Sequence, residues 1–434
     1  MFETFRNAWK AVEIRKKILY TLLIIFIFRI GCSIPVPFLD ASALATMMGD
    51  GGTVLNLLDM MSGGALSKGT VFALSIQPYI NAQIIVQLLT YALPPLESLQ
   101  KEGEEGRKKL NKITNIASLG ISFVMSYAYY MTMRNAGAVQ FTKGFSGIFT
   151  FIVIVAAFTA GSSLIIYLGN CINEKGIGNG ISILLFAGIV ARGPSAILNM
   201  FELVKGDTKM VFVVPVVLIV FVLMIGFIVF MNESERRIPI SYAKRVVGRK
   251  QYGGQNTHIP IKVAMSGVMP IIFAMSILSI PQTIYMFVKP ATKPEGFWEN
   301  FYVGFLNFFN SNSIWYAVIY FVLIIAFNYF YVSMQYNPIE IANNLRQNNG
   351  GIPGIRPGKP TSDFIQRILS KITLIGAIFL GIIAIFPILT NMAMPKLNIS
   401  MGGTSILIIV SVVLETNRTL ESQMMMRHHK GFLE

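Results

Sequence analysis

Residues 210–231 read MVFVVPVVLIVFVLMIGFIVFM and contain no charged side chain, no amide and no histidine. A helix on the surface of a soluble protein keeps a polar face, whereas this segment is apolar on every side. Its length matches the roughly 20 apolar residues that cross the hydrocarbon core of a bilayer. The segment therefore predicts a transmembrane helix.

The composition of the whole chain also indicates a membrane protein. Of its 434 residues, 53% are hydrophobic and 13% are charged, and the mean hydropathy is +0.60. Soluble domains carry about 25% charged residues. Here the charges lie in short segments between long uncharged ones. The basic residues lie beside the ends of apolar segments, where they set membrane orientation. The net charge of +15 is therefore explained by membrane topology rather than by nucleic-acid binding.

Ten apolar segments are long enough to predict transmembrane helices. They are approximately Ile18–Ile34, Val71–Leu93, Ile113–Met133, Phe149–Leu168, Ile181–Ile197, Met210–Met231, Val263–Val288, Ile314–Met334, Ile372–Leu389 and Gly402–Leu420.

The connecting segments predict the orientation of these spans. Of the 36 Lys and Arg residues, 26 lie in the two termini and the connections on their side of the membrane. Nine lie in the other connections, and Arg29 lies inside the first span. Basic residues accumulate on the cytoplasmic side. Both termini and the long loops 232–262 and 335–371 are therefore predicted to be cytoplasmic.

Two spans depart from plain membrane helices. The second carries a proline and four amides, namely Pro78, Gln77, Asn81, Gln83 and Gln87. Buried amides need partners or water, so at least one face of this span is expected to line a polar cavity. The seventh span carries Pro270 and Pro281. Interrupted helices at corresponding places in two halves are typical of a central pathway, although prolines are also common in membrane helices generally.

Spans two to nine contain no Asp, Glu, Lys or His, and their one Arg, Arg192, lies toward the end of the fifth span, where it is counted with the following connection. A proton-coupled carrier needs carboxylates or histidines inside its bundle, so this pattern argues against one. Arg29 lies toward the outer end of the first span, where its side chain is expected to snorkel to the membrane surface.

The sequence contains no pattern typical of an enzyme or a metal site. Residues 176–180 read GIGNG, but no strand precedes them and the lysine of a phosphate-binding loop is missing, so a tight turn is expected. His258, His428 and His429 lack the spacing of metal ligands. We therefore expect no enzymatic activity, no cofactor and no metal.

Several strings resemble the SecY family of bacterial protein-translocation channels, in the order and at the loop lengths of that family. They are Arg29-Ile-Gly31, Ser62-Gly-Gly-Ala-Leu66, Lys101-Glu-Gly-Glu-Glu-Gly-Arg-Lys-Lys109, Gly176-Ile-Gly-Asn-Gly-Ile-Ser182, Asn337-Pro-Ile-Glu340, Pro353-Gly-Ile-Arg-Pro-Gly358 and Gly402-Gly-Thr-Ser405. The resemblance covers nearly the whole chain.

The resemblance implies an all-α protein of ten transmembrane helices in two pseudo-symmetric halves, residues 1–200 and 201–434, around a central hourglass pore. It implies an aliphatic ring at the waist of the pore, which would pass unfolded polypeptides. The matching positions are Ile76, Ile80, Ile181, Leu185, Ile272 and Ile408. Without the resemblance, ordinary helix packing would explain each of these residues.

The resemblance also assigns a plug at about residues 54–66. Val54, Leu57, Leu58 and Met61 share one apolar helix face, and Gly63 and Gly64 follow as a possible hinge. The pattern alone favours a helix lying on the outer membrane surface. The resemblance implies instead a plug beneath the ring that moves when substrate enters.

A lateral gate between the second and seventh spans is implied as well, with Asn81 and Ile280 facing each other across it. Through such a gate, signal peptides and transmembrane segments would reach the lipid bilayer.

The family engages its cytoplasmic partners through basic loop residues, here Arg249, Lys250 and Arg356. The implied partners are the ribosome with its nascent chain, the motor ATPase SecA and the small membrane subunits SecE and SecG. The implied location is the plasma membrane of a bacterium.

Two other functions remain open at the level of sequence. A secondary transporter of a small solute is disfavoured by the uncharged spans and the long basic loops. A ribosome receptor without a pore is not excluded by charge counts, and ion conductance after deletion of the plug would separate it from a channel.

Overall fold

The computed structural model describes most of the chain. The described residues are 6, 8–44, 59, 62–135, 137–206, 210–242, 245–247, 250–252, 257–287, 304, 313–393 and 403–430. Side chains are not described at every one of these positions.

Long helices make up most of the described part. They are α1 (Val12–Gly31), α2 (Gln77–Ala92), α3 (Pro94–Lys101), α4 (Glu104–Asn135), α5 (Gly144–Lys175), α6 (Gly180–Ala191), α7 (Gly193–Gly206), α8 (Met210–Glu233), α9 (Met269–Phe287), α10 (Ile314–Gln335), α11 (Pro338–Gln347), α12 (Lys359–Ala393) and α13 (Gly403–Lys430).

Each of the ten predicted apolar segments carries a helix, but some predicted bounds were wrong. The second and seventh segments become helical only at Gln77 and Met269, after non-helical turns. Pro78 stands in the first turn of α2, where a missing N–H costs no helical hydrogen bond. The fifth segment is divided at Arg192 between α6 and α7.

Five helices of the described part, α4, α5, α8, α10 and α12, are long and apolar enough to cross a membrane. Large apolar side chains also cover the outer surface, and Phe145 and Phe212 are 86% and 77% exposed. So much exposed apolar surface is unfavourable in water and favourable in lipid.

Most helix packing joins elements close in sequence. In the first part of the chain α2 packs on α4, α4 on α5, and α5 on both α1 and α6. In the second part α9 packs on α10, α10 on α12, and α13 on both α12 and α8. The two parts touch where α9 contacts α2 and α4, and where α13 contacts α6.

The described part is mostly helical, in line with the expected all-α class, but the long loops 232–262 and 335–371 also contain strands, which the sequence analysis did not predict. The strands are β1 (Glu235–Tyr242), β2 (Arg245–Val247), β3 (Lys250–Tyr252), β4 (Thr257–Lys262) and β5 (Gly350–Gly351). β1 pairs antiparallel with β4 and with β5, and β2 pairs antiparallel with β3.

The two loops have a small core of their own, which explains why they fold together. Ile238, Ile240 and Ile261 from the first loop pack with Leu345 and Ile352 from the second. β-Branched residues on one face of a strand pair give a stable sheet only when another element covers them, and here the second loop and α12 do so.

Candidate functional site

The six residues predicted to form a ring lie in one buried apolar cluster. Their exposed fractions are 9% or less, and the cluster joins both parts of the chain. We call these side chains the seal; they are Ile76, Ile80, Ile181, Leu185, Ile272 and Ile408. No member carries a polar side-chain atom, so these side chains are held together only by packing and by the exclusion of water.

A compact turn positions Ile76 and Ile80. The N–H groups of Val36 and Val71 bond to the carbonyls of Gly69 and Ile34, which ties this turn to the segment after α1. Ser75 has a φ of 51°, a left-handed conformation that is uncommon outside glycine. Ile76 then forms the N-cap of α2, and Ile80 follows one turn later.

The glycine-rich turn at 176–180 positions Ile181 and Leu185, as the sequence predicted. Asn179 caps α6 by accepting hydrogen bonds from the N–H groups of Ile181 and Ser182. A Cβ on Gly180 would lie 2.0 Å from the carbonyl oxygen of Gly169, so α5 and α6 approach too closely for any side chain there. The glycine therefore fixes where the seal residues of α6 stand.

The second part of the chain contributes Ile272 from α9 and Ile408 from α13. Beside Ile272, the ring of Phe273 packs edge-on against Phe327 of α10, with centroids 5.9 Å apart. Edge-to-face contacts of this kind fix the rotation of a helix, which directs Ile272 toward the first part of the chain.

Of the predicted plug, the structure describes Asp59 and residues 62–66, whereas Val54, Leu57, Leu58 and Met61 lie outside the described residues. Gly63 and Gly64 have φ values of 68° and 86°. A Cβ on Gly63 would lie 3.0 Å from the carbonyl oxygen of Gly188. These glycines therefore permit a left-handed turn packed closely against α6.

Sequence reasoning missed the ionic contact of this segment. The carboxylate of Asp59 forms an ion pair with the guanidinium of Arg192, which follows α6. The side chain of Asp59 is 4% exposed and that of Arg192 is 25% exposed. An acidic residue among the apolar positions of the plug was the signal that could have indicated a buried partner.

The expectation that Arg29 snorkels to the membrane surface was wrong. Its Nη1 atom is buried and has no hydrogen-bond partner among the described residues. If Gly63 carried a Cβ, that atom would lie 2.7 Å from Nη1 of Arg29. The Arg29 side chain therefore packs against Gly63 in the turn at residues 62–66. The absence of a side chain at Gly63 gives the guanidinium this space.

A polar cavity of about 310 Å³ opens between α2, α4 and α10. Gln83 and Gln87 of α2 line it, which confirms the predicted cavity beside the second span. Asn81 is half-buried and its Nδ2 lies 3.8 Å from the Sδ of Met125 in α4. Ile280 lies in α9, which contacts α2, but its side chain is outside the described residues.

Two of the predicted docking residues, Lys250 and Arg356, lie in the folded loops. Arg356 is exposed, and its carbonyl accepts a hydrogen bond from the hydroxyl of Thr361. Lys250 begins β3, while Arg249 lies outside the described residues. Within the described part, no group of three or more His, Cys, Asp or Glu residues could hold a metal ion.

Helices with exposed apolar surfaces surround the buried apolar cluster, and the turn at residues 62–66 packs beside that cluster. These features are typical of a membrane protein of the channel class. The family model of SecY matches residues 70–417 of the chain. The protein translocase subunit SecY of Mycobacterium bovis is 39% identical over 448 residues, covering 100% of both chains. The chain therefore belongs to the SecY family of protein translocase subunits.

Solved structures share this fold. A protein-conducting channel has a TM-score of 0.64 and 18% identity, covering 95% of this chain and 93% of the other. A SecY structure has a TM-score of 0.62, 18% identity and the same coverage. Its description states that the plug domain of that protein stabilises the closed state of the channel. Sec61 from a canine ribosome–channel complex has a TM-score of 0.59 and 17% identity, covering 95% and 93%.

Proposed function

We propose that this chain conducts unfolded polypeptides across the plasma membrane of a bacterium, through a path between residues 1–200 and 201–434. It crosses the membrane ten times with both termini in the cytoplasm. The helices found at all ten apolar segments and the distribution of Lys and Arg support this topology.

The gathering of the six seal residues in one cluster is the observation that carries the proposal. They come from α2, α6, α9, α13 and the N-cap of α2, on both sides of the proposed path. An apolar constriction expels water when it is empty, and it binds no particular sequence when a chain passes. The seal would therefore hold back ions and still admit polypeptides of any composition.

The segment of residues 54–66 is proposed as the plug, with Val54, Leu57, Leu58 and Met61 as its apolar face and Gly63 and Gly64 at its end. Its described part supports this role. Ala65 is fully buried and belongs to the same cluster as the seal, so movement of the segment would change the packing of the seal.

The lateral gate is proposed to open between α2 and α9, at Asn81 and Ile280. Contacts between these two helices, and the cavity beside Gln83 and Gln87, support a seam there. A signal peptide or transmembrane segment of about 20 apolar residues would gain free energy by passing through this seam into lipid.

A disulfide across the seam tests the gate. In a background with Cys32→Ser and Cys171→Ser, Asn81→Cys with Ile280→Cys is expected to crosslink on oxidation, which requires Cα atoms about 5.5–6 Å apart. Export of a signal-bearing precursor by the reconstituted, SecA-driven channel should then stop and should return on reduction.

The matched control is Asn81→Cys with Val222→Cys, because Val222 lies on α8 and is 68% exposed. This pair should not crosslink, and its export should be unaffected by oxidant. A failure of the first pair to crosslink, or full export with its bond in place, would refute the gate.

The cytoplasmic loops are proposed to dock the ribosome and the SecA motor through Arg249, Lys250 and Arg356, while SecE and SecG complete the channel in the membrane. The exposure of Arg356 on a folded unit supports this assignment. An arginine presented by an ordered loop can bind phosphate or carboxylate in a fixed geometry.

A further inference from the structure

Asp59 organises the turn at the end of the plug segment. Its carbonyl accepts hydrogen bonds from the hydroxyl of Ser62 and from the N–H of Gly64, and its Oδ1 accepts one from the N–H of Ser67 at 2.7 Å. Its Oδ2 is paired with Arg192. Each oxygen of the carboxylate therefore has a partner, and a buried charge is tolerated when it is paired and hydrogen-bonded.

Arg192 connects this turn to the helix that carries part of the seal. It follows α6 directly, and Leu185, Ile189 and Arg192 stand at helical positions i, i+4 and i+7 on one face. Leu185 and Ile189 both lie in the seal cluster. Arg192 of the ion pair is thus two helical turns beyond Leu185 of the seal, on the same face of the helix.

Two arginines stand over the adjacent glycines of the turn. Arg29 faces Gly63, and a Cβ on Gly64 would lie 3.5 Å from the Nε and Nη2 atoms of Arg192. Of the two arginines, Arg192 alone has an acidic partner among the described residues. Removing the Asp59 carboxylate would leave two partly buried cations beside this turn without that counter-charge.

We infer that the Asp59–Arg192 ion pair is a latch that holds the plug segment closed and so determines how strong a signal sequence must be to open the channel. This inference rests on the proposed plug. While the pair is intact, it ties Asp59 to the end of α6, and the bond from Ser67 ties the turn at residues 62–67 to Asp59. Opening therefore requires separation of two partly desolvated charges.

Neutralising either partner tests the latch in the full chain reconstituted in planar bilayers. Asp59→Asn and Arg192→Gln are each expected to raise the resting ion conductance about tenfold or more, as coupling between close charge pairs is worth at least that factor. Both variants should also export a precursor whose signal sequence carries a charge in its apolar core. Arg192→Lys keeps a cation and should stay near the parent protein.

The double variant Asp59→Asn/Arg192→Gln distinguishes a latch from two independent structural roles. If the residues act through each other, its conductance should not exceed that of the single variants, whereas independent effects would multiply. The control is Lys101→Gln, which breaks an exposed ion pair with Glu97 in α3 and should change nothing. If Asp59→Asn does not accumulate in the membrane, the comparison of Arg192→Gln with Arg192→Lys gives the same test.

Deletion of residues 54–64 separates failure of the latch from failure of the plug. A leaking deletion variant together with tight Asp59→Asn and Arg192→Gln channels would overturn the latch and leave the plug in place. A tight deletion variant would overturn the plug, and the latch with it. Multiplying effects in the double variant would likewise overturn the latch.

Discussion

The proposed seal and the proposed latch would hold the channel closed in different ways, although α6 contributes to both through Ile181, Leu185 and the Arg192 that follows it. The seal consists of six apolar side chains with no polar atom. The latch is the Asp59 carboxylate paired with the Arg192 guanidinium, and the carboxylate also accepts a hydrogen bond from the N–H of Ser67. Both are partly or fully buried, and Arg192 of the latch lies two turns from Leu185 of the seal.

This difference predicts different responses to substitution. Packing is non-directional, so exchanging isoleucine for valine in the seal is expected to cost about 0.5–1.5 kcal/mol of stability. Removing one member of a buried ion pair leaves an uncompensated charge, which costs about 3–5 kcal/mol where both partners are fully buried and less here, because the Arg192 side chain is 25% exposed. The seal should therefore tolerate change that the latch does not.

The largest combined effect on the seal and the latch is expected at Gly180, because this residue fixes the position of α6, which carries Ile181 and Leu185 and leads into Arg192. In Gly180→Ala a methyl group would overlap the carbonyl oxygen of Gly169, which belongs to backbone and cannot rotate away. We expect a loss of stability of about 1–3 kcal/mol, as for other overpacked sites, together with raised resting conductance. Thermal unfolding in detergent and bilayer recording would measure the two effects.

Gly226→Ala is the matched control for Gly180→Ala. Nothing lies within 4 Å of a Cβ at Gly226 in α8, and alanine is the better helix former by about 1 kcal/mol. Equal melting temperatures for the two variants would contradict the role given to Gly180.

The smallest effect on either closure is expected from Arg356→Glu and from Arg249→Glu with Lys250→Glu. These residues belong to the loops outside the membrane, so resting conductance and folding should not change. Precursor export and ribosome binding should fall, and the loss of binding should depend on salt, as it does for contacts with phosphate.

Arg346→Glu is the control for these docking variants, since Arg346 is an exposed arginine of α11 in the same folded unit. It should export precursor normally. Full export by Arg356→Glu and by the double variant would refute the docking assignment.

The sequence predicted the helices well because a long apolar segment has one stable form in lipid. It failed where distant residues meet. β5 pairs with β1 although Ser241 and Gly351 are 110 positions apart, and Asp59 and Arg192 are 133 apart. Neither pairing leaves a periodic pattern in the chain, because each depends on tertiary packing.

The starts of α2 and α9 were misplaced for a related reason. Residues 71–76 are as apolar as the helix that follows, so hydropathy cannot separate them. The positive φ of Ser75 and the hydrogen bonds to Ile34 and Gly69 set the boundary. The seal residues could be selected among many isoleucines only through the family resemblance, because their chemistry alone is ordinary.

The central claim is that the seal residues close a conducting path and do not simply fill a core. The most direct test records ion conductance in planar bilayers for two double variants. The seal variant is Ile80→Gly with Ile272→Gly, and the control is Ile154→Gly with Ile324→Gly. Ile154 and Ile324 are fully buried isoleucines outside the seal cluster. We predict a large rise in resting conductance for the seal variant alone, whereas equal conductance in the two folded double variants would contradict the claim.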